Sequence, residues 1–183
     1  MESRGQPLRI GVSSCLLGEA VRWDGGHKRE DFLFDGLGAG VELVPVCPEM
    51  ELGLGVPREP IRLVDAGPGQ ASRLVAETSG YDHSQAMREF AAGRVRELAE
   101  FSLSGCVLKQ RSPSCGLLGV PVWPGGGEGV LTFDGRGLFA AALRDAFPEL
   151  PMEEEHRLRD PARREAWMTH VRAYHRRLHG EPS

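Results

Sequence analysis

Apolar residues are concentrated in three short runs, and each run is followed by a turn. The runs are Leu8 to Ser14, Val41 to Val46 and Cys106 to Leu108. Short apolar runs bounded by turn residues are typical of buried strands. The pattern therefore predicts three strands that belong to one hydrophobic core.

Longer segments between and after these runs carry apolar residues at helical spacing. They predict a helix from Tyr81 to Ser102 with Asp82 as its N-cap, a second from Leu138 to Phe147, and a terminal helix from Pro161 capped by Asp160. Strands that alternate with helices are typical of a parallel sheet covered by helices. We therefore expect an α/β fold, a three-layer Rossmann-like domain with a mainly parallel sheet.

The remaining segments refine this picture without dividing the chain. Residues 57–64 have an extended pattern, residues 73–75 are strand-like, and the glycines after Trp123 indicate a flexible loop. No linker or internal repeat separates two domains. We expect one domain over residues 1–183, with residues 152–183 as a C-terminal helical extension.

Three of the four cysteines follow the predicted strands. Cys15, Cys47 and Cys115 lie in turns, whereas Cys106 lies inside an apolar run, where a buried, inert thiol is the better interpretation. The carboxyl ends of parallel strands lie at one edge of a sheet, so the three turns can converge there. Spacing alone does not decide between a metal centre and structural thiols.

The composition of the chain indicates which partners and which cellular compartment to expect. The 183-residue chain has a formal net charge of −4, which argues against a wholly basic nucleic-acid-binding surface. It has no apolar run long enough to span a membrane and no cationic start followed by an apolar signal core. We expect a cytoplasmic protein without a membrane partner, whose cysteines stay reduced.

Polar side chains near two of the cysteines are candidates for chemistry. Glu49 follows Cys47 by two residues and is a candidate proton donor or base, although an exposed loop carboxylate is the ordinary alternative. Ser112 and Ser114 precede Cys115 and are either ligand-binding hydroxyls or ordinary turn residues.

A short aromatic segment follows the first cysteine. Trp23, Asp24 and Gly25 combine an aromatic face, a carboxylate and a flexible turn, which could close over a planar substrate. An aspartate-glycine turn beside an incidental tryptophan fits the same residues.

The segments SSCLLG, VRWDGGHKR, VPVCPEMELGLGVPREP and LKQRSPSCG occur in this order, and together they resemble the DUF523 family of thiouracil desulfidase-like proteins. The resemblance implies a [4Fe-4S] cluster held by Cys15, Cys47 and Cys115, with one iron left open. It also implies that Glu49 and a serine of the Ser-Pro-Ser-Cys turn act beside it, without distinguishing Ser112 from Ser114.

The function implied is a desulfidase for a thiolated pyrimidine of the thiouracil or thiouridine type. The mechanism expected from this resemblance is that the substrate sulfur would bind the open iron, Glu49 would act as the base for attack by water, C=S would become C=O, and sulfide would leave without net redox change. The substrate is a small base or nucleotide. The arginine-rich C-terminal helix leaves 4-thiouridine in tRNA as an alternative, and a non-enzymatic iron–sulfur carrier or redox sensor is an alternative of another class.

Overall fold

The computed structural model describes residues 6–126 and 128–180, in which strands and helices alternate along the chain. The strands are β1 (Leu8–Ser13), β2 (Val41–Val46), β3 (Ile61–Val64), β4 (Arg73–Ala76), β5 (Gly105–Leu108), β6 (Val120–Trp123), β7 (Thr132–Gly135) and β8 (Met152–Glu154). The helices are α1 (Phe32–Asp35), α2 (Pro48–Glu51), α3 (Ser84–Glu100), α4 (Leu138–Ala146), α5 (Glu155–Leu158) and α6 (Pro161–His179). A 3-10 helix, Ser14–Leu17, directly follows β1.

The first sheet is parallel and has the strand order β2-β1-β5-β8. In its centre, Ser13 of β1 pairs with Val46 of β2, and Val12 pairs with Val107 of β5. Because these strands run in one direction, the segments that follow β1, β2 and β5 lie at the same edge. The predicted α/β class and mainly parallel sheet are confirmed.

A second sheet, of mixed direction, has the order β4-β3-β6-β7. β3 runs antiparallel to β4 and parallel to β6, and β7 returns antiparallel to β6. The extended segments noted at 57–64 and 73–75 supply β3 and β4. The apolar pattern does not predict β6 or β7, which lie on either side of the glycine-rich loop after Trp123.

Apolar side chains cover both faces of the parallel sheet. On one face Ile10 and Val107 pack in a cluster with Trp167 and Val171 of α6. The other face joins a cluster that includes side chains of α3, α4 and the second sheet. The sheet is therefore the middle layer of the fold.

Gly105 allows α6 to lie directly on β5. A Cβ atom at this position would be 2.9 Å from a Val171 methyl carbon and 3.1 Å from the Trp167 ring. Because contacts that close require something to move, a larger residue would push the helix away from the sheet.

Two helix starts test the capping predictions. Helix α3 begins at Ser84 rather than Tyr81, so its N-cap is His83 and the expected cap at Asp82 is wrong by one residue. The Asp82 carboxylate still accepts a hydrogen bond from the Ser84 amide at 2.9 Å. Asp160 caps α6 as expected by accepting from the Ala162 amide at 2.9 Å.

The segment from residue 152 onward differs from a purely helical extension. Its first residues form β8, in which Met152 pairs with Cys106 of β5, so the segment begins inside the parallel sheet. Within the described part of the chain, no helix has the length and apolarity needed to cross a bilayer.

Candidate active site

Three of the four cysteines line one cavity at the carboxyl edge of the parallel sheet. Cys15 lies in the 3-10 helix after β1, Cys47 follows β2, and Cys115 lies in the segment between β5 and β6, the Cys115 loop (residues 109–119). The cavity has a volume of about 440 Å³, which is within the range of small-molecule sites. The structure thus brings together the three cysteines that the sequence groups.

Cys106 lies outside this cavity. Its sulfur faces β1, where a Cβ atom on Gly11 would be 2.9 Å from Sγ. Burial raises the pKa of the Cys106 thiol to about 12, so it stays protonated at neutral pH. Its position fits the interpretation of a buried, inert thiol.

The three thiols in the cavity are also disfavoured as free anions. Burial raises the pKa of Cys15 to about 11, although Lys109 opposes this effect. Burial likewise raises the pKa of Cys47 and of Cys115, and negative charge on Cys15 or Cys47 would raise that of Cys115 further. Three thiolates here need a compensating positive charge, which thiolate-bound iron supplies.

The thiols of the cavity are the donor type that iron–sulfur clusters use. Over residues 6–126 and 128–180, no three His, Cys, Asp or Glu side chains converge on a point where one metal ion could bind. An iron–sulfur cluster does not need such convergence, because each thiolate binds a different iron. The three thiols that line the cavity are therefore a donor set that fits a cluster.

Backbone hydrogen bonds from α4 hold the Cys115 loop. The amides of Leu138, Phe139 and Ala140 donate to the carbonyl oxygens of Pro113 and Ser114, each at 3.1 Å. These amides belong to the first turn of a helix, where no carbonyl within the helix is available to them. The start of α4 therefore fixes the backbone that precedes Cys115.

Gly137 permits this contact, which leads to a prediction. A Cβ atom on Gly137 would be 2.4 Å from the Ser114 carbonyl group, so Gly137→Ala must displace the Cys115 loop. We expect the substitution to lower the free energy of unfolding by about 2 kcal/mol in urea denaturation. Gly93→Ala in α3 is the control, since nothing lies within 4 Å of its Cβ position. It should stabilise the protein by about 1 kcal/mol, and equal effects of the two variants would contradict the proposed contact.

Hydrogen bonds distinguish the two serines of the loop. The Ser114 hydroxyl donates to Glu49 Oε1 at 2.7 Å, and the Ser112 and Ser114 hydroxyl oxygens are 3.0 Å apart. Since Ser114 gives its only hydroxyl proton to Glu49, Ser112 must be the donor to Ser114. Ser112 Oγ also accepts from the Cys115 amide at 3.0 Å. Ser114 thus contacts the carboxylate, while Ser112 shapes the turn.

Arg58 holds the second oxygen of the Glu49 carboxylate and is absent from the residues predicted from sequence. Its guanidinium donates to Glu49 Oε2 at 2.5 and 3.1 Å, and also to the carbonyl oxygens of Gly55 at 2.7 Å and Val21 at 3.0 Å. The Arg58 amide donates to the Trp23 carbonyl oxygen at 3.0 Å. Arg58 therefore joins Glu49 to the loop that carries Trp23.

Loss of this buried pair should be costly. The Arg58 side chain is 8% exposed and that of Glu49 15% exposed. We expect Arg58→Met to lower the free energy of unfolding by about 3 kcal/mol, because it leaves a largely buried carboxylate without its cation. Arg9→Met, which breaks the exposed pair with Glu42, should cost less than about 1 kcal/mol. Urea denaturation of both variants measures the difference, and a similar small cost for each would contradict this role of Arg58.

Of the three residues predicted to bind substrate, one lines the cavity and two do not. Trp23 lines the cavity and is 44% exposed, so its ring is available to a ligand. Asp24 and Gly25 do not line the cavity. The Asp24 carboxylate instead accepts from the Gly26 amide at 2.9 Å, and this hydrogen bond holds the pKa of Asp24 below its usual value. Gly25 has a φ of 77°, a left-handed conformation that favours glycine.

Known proteins are similar to this chain in the sequence and the fold that form this site. The family model described as 2-thiouracil desulfurase matches residues 10–155, which include every residue of the site discussed above. The chain belongs to the 2-thiouracil desulfurase family. The predicted DUF523 resemblance and the prediction of an enzyme are confirmed.

Two relatives extend the family match. The [4Fe-4S]-dependent thiouracil desulfidase TudS has a solved structure with a TM-score of 0.65 and 31% sequence identity, and the match covers 87% of this chain and 98% of that chain. The uncharacterized protein YbbK of Bacillus subtilis (strain 168) is 33% identical over 109 residues, which are 57% of this chain and 71% of that protein.

Proposed function

We propose that this protein of the 2-thiouracil desulfurase family is a [4Fe-4S]-dependent desulfidase that converts C=S of a thiolated pyrimidine to C=O and releases sulfide. One observation carries the proposal. Cys15, Cys47 and Cys115 line a cavity together with Glu49 and Ser114, whereas the fourth cysteine lies outside it. A [4Fe-4S] cluster held by these three cysteines would leave one iron without a protein ligand.

The cluster, when bound, supplies a Lewis-acidic iron that polarises the thiocarbonyl group of the substrate. Glu49 removes a proton from the attacking water, and its position is fixed by Arg58 on one oxygen and Ser114 on the other. A carboxylate oxygen accepts more than one hydrogen bond, so Glu49 Oε1 can accept a hydrogen bond from the water as well as the one from Ser114. Water provides the oxygen of the product and the protons of the departing sulfide, so no oxidant or reductant is consumed.

Trp23 is the residue that we propose to contact the pyrimidine ring. Its ring lines the cavity and is partly exposed, which suits stacking on a planar heterocycle. Asp24 and Gly25 would then act indirectly, because their turn sets the course of the chain that carries Trp23.

Two exposed cations favour a nucleotide over a free base as the substrate. Lys28 and Arg111 line the cavity, and within the described residues neither has an ion pair to a carboxylate. Arg111 lies over the Phe133 ring with its guanidinium carbon 5.6 Å from the ring centroid. A phosphate at the cavity entrance would meet both positive charges.

This assignment predicts a substrate-dependent effect. In the double variant Lys28→Ala/Arg111→Ala, the KM for a thiouridine monophosphate should rise about tenfold, as expected for two exposed ion pairs. The KM for 2-thiouracil should not change. Arg96→Ala, in the exposed part of α3, is the control. An equal rise of KM for the base and the nucleotide would contradict phosphate recognition.

A tRNA substrate is less well supported by the C-terminal arginines. Five of them form ion pairs with carboxylates of this chain: Arg157, Arg159, Arg163, Arg172 and Arg177. Arg164 donates to the Leu158 carbonyl oxygen, and neither it nor Arg176 lines the cavity. A salt-sensitive mobility shift of labelled tRNA, lost when Arg176 and Arg177 are neutralised, would support the tRNA alternative. Absence of binding at low salt would exclude it.

The carrier or sensor alternative is tested by turnover. After anaerobic reconstitution with iron and sulfide, the protein should convert 2-thiouracil or a 4-thiouridine nucleotide to the oxo product with release of sulfide. A protein that holds the cluster and converts neither would favour the alternative. A cytoplasmic location belongs to the proposal, since free thiols at Cys15, Cys47 and Cys115 require reducing conditions.

A further inference from the structure

Two consecutive buried glutamates reach from the C-terminal segment to opposite ends of the Cys115 loop. Glu154 is 4% exposed and Glu155 is 1% exposed. Buried carboxylates are rare unless they are paired or hydrogen-bonded. Their partners therefore indicate what each residue does.

Glu154 contacts only backbone donors within the loop. Its Oε1 accepts from the amides of Leu117 at 2.9 Å and Leu118 at 3.3 Å. His156 is 3.6 Å from the other oxygen and is its neighbour in α5. Glu154 holds the end of the loop and places no cation near the cysteines.

Glu155 binds the other end of the loop through a charged side chain. It forms a hydrogen-bonded ion pair with Lys109 Nζ, and its Oε2 accepts from the Gln110 amide at 2.8 Å. Lys109 lines the same cavity as Cys15, and its side chain is 15% exposed. The Lys109 amide donates to Ser13 Oγ at 3.0 Å, which ties this residue to the end of β1. The pair is thus fixed between the C-terminal segment and the cysteine cavity.

Stability alone is a weak explanation for this pair. Removing two charges from water costs several kcal/mol, and well-packed apolar residues often serve equally well. Lys109 lines the cavity with the three cysteines, and Glu155 carries the opposite charge directly behind it, so the two charges act on the cavity in opposite directions. An effect on charge at the cysteines is therefore a specific consequence of the pair.

We propose that the buried Lys109–Glu155 ion pair sets the electrostatic field at the cysteine cavity, with the positive charge of Lys109 on the cavity wall and its compensating negative charge on Glu155. This inference rests on the cluster of the proposed function. Lys109 stabilises the negative charge of the three thiolates and of an added electron, and Glu155 limits that stabilisation by compensating part of the lysine charge. Charge near a cluster is one of the factors that determine its reduction potential.

The test is the one-electron reduction potential of the anaerobically reconstituted protein, measured by redox titration followed by electron paramagnetic resonance. Lys109→Met should shift the potential downward and Glu155→Gln should shift it upward. The double variant Lys109→Met/Glu155→Gln replaces an ion pair that has no net charge with two uncharged side chains. Its potential should be close to that of the wild type. Glu154→Gln is the matched control, because it also changes a buried glutamate that holds the same loop. It should leave the potential unchanged.

Several results would overturn the inference. They are unchanged potentials in both single variants, shifts in the same direction, or a Glu154→Gln shift as large as that of Glu155→Gln. If Glu155→Gln does not retain the cluster, Lys109→Arg decides: it should keep the wild-type potential, and a value equal to that of Lys109→Met would overturn the role of the charge. A wild-type protein that takes up no cluster would instead refute the proposed function, and the inference with it.

Discussion

Replacement of Cys115 by alanine should abolish both cluster binding and desulfuration. Cys115 lines the cavity, is 5% exposed and follows the backbone held by α4. Loss of a residue that only orients a metal ligand costs 10- to 100-fold in metal affinity or activity, so loss of a ligand should cost more than about 100-fold. Iron and sulfide analysis after anaerobic reconstitution, together with the visible absorption of the cluster, measures binding. Turnover of 2-thiouracil measures activity.

Cys106→Ala provides a closely matched control. Cys106 is 2% exposed and, like Cys115, is a buried thiol at the parallel sheet, but it faces β1 rather than the cavity. Both substitutions remove one buried sulfur atom, so both should cost about 1 kcal/mol of folding stability. Cys106→Ala should nevertheless keep its iron. Loss of the cluster in Cys106→Ala, or its retention in Cys115→Ala, would contradict the assignment of the three cysteines.

Replacement of Glu49 by glutamine should preserve the cluster and remove most of the turnover. The amide keeps the size of the side chain, but it cannot take a proton from water. General acid–base catalysis contributes about 10²- to 10⁴-fold, so kcat should fall within that range. The variant also leaves Arg58 without its anionic partner. Its unfolding midpoint should therefore decrease, and kinetics should be measured well below that midpoint.

Glu77→Gln separates loss of the base from a general change of charge. Glu77 also lines the cavity, but its side chain is exposed and makes no hydrogen bond to the serines of the Cys115 loop. The same carboxylate-to-amide change at Glu77 should alter kcat by less than about threefold, as expected for a surface charge. Desulfuration at the wild-type rate by cluster-loaded Glu49→Gln would rule out Glu49 as the base.

The sequence predicts the cysteine group well because the relevant information is local. Cys47 directly follows β2, Cys15 lies in the 3-10 helix that follows β1, and parallel topology brings the ends of such strands to one edge. The same reasoning reaches Cys115 through β5. Glu49 and Ser114 could be proposed as site residues because each lies close to a cysteine in the sequence. Their contact could not be predicted, since the hydrogen bond joins residues 65 positions apart.

Residues that support the site were not predictable in this way. Arg58 lies in the motif VPREP, where nothing local distinguishes it from an exposed arginine, and only the fold shows that it binds Glu49. The acidic run 153–155 has the composition of a solvated surface that balances nearby arginines. It is instead the end of β8 and the start of α5, and the fold turns Glu154 and Glu155 into the interior. Their burial follows from the pairing of β8 with β5, which lie far apart in the sequence. A sequence pattern of period 2 or 3.6 carries no information on such a pairing.

The central claim is that three cysteines hold a cluster whose remaining iron receives the substrate sulfur. Mössbauer spectroscopy of the iron-57-reconstituted protein, without and with 2-thiouracil or a thiouridine nucleotide under anaerobic conditions, tests it most directly. We predict one iron site distinct from the other three, and a change confined to that site when substrate is added. Four equivalent sites, or a spectrum that substrate leaves unchanged, would contradict this account.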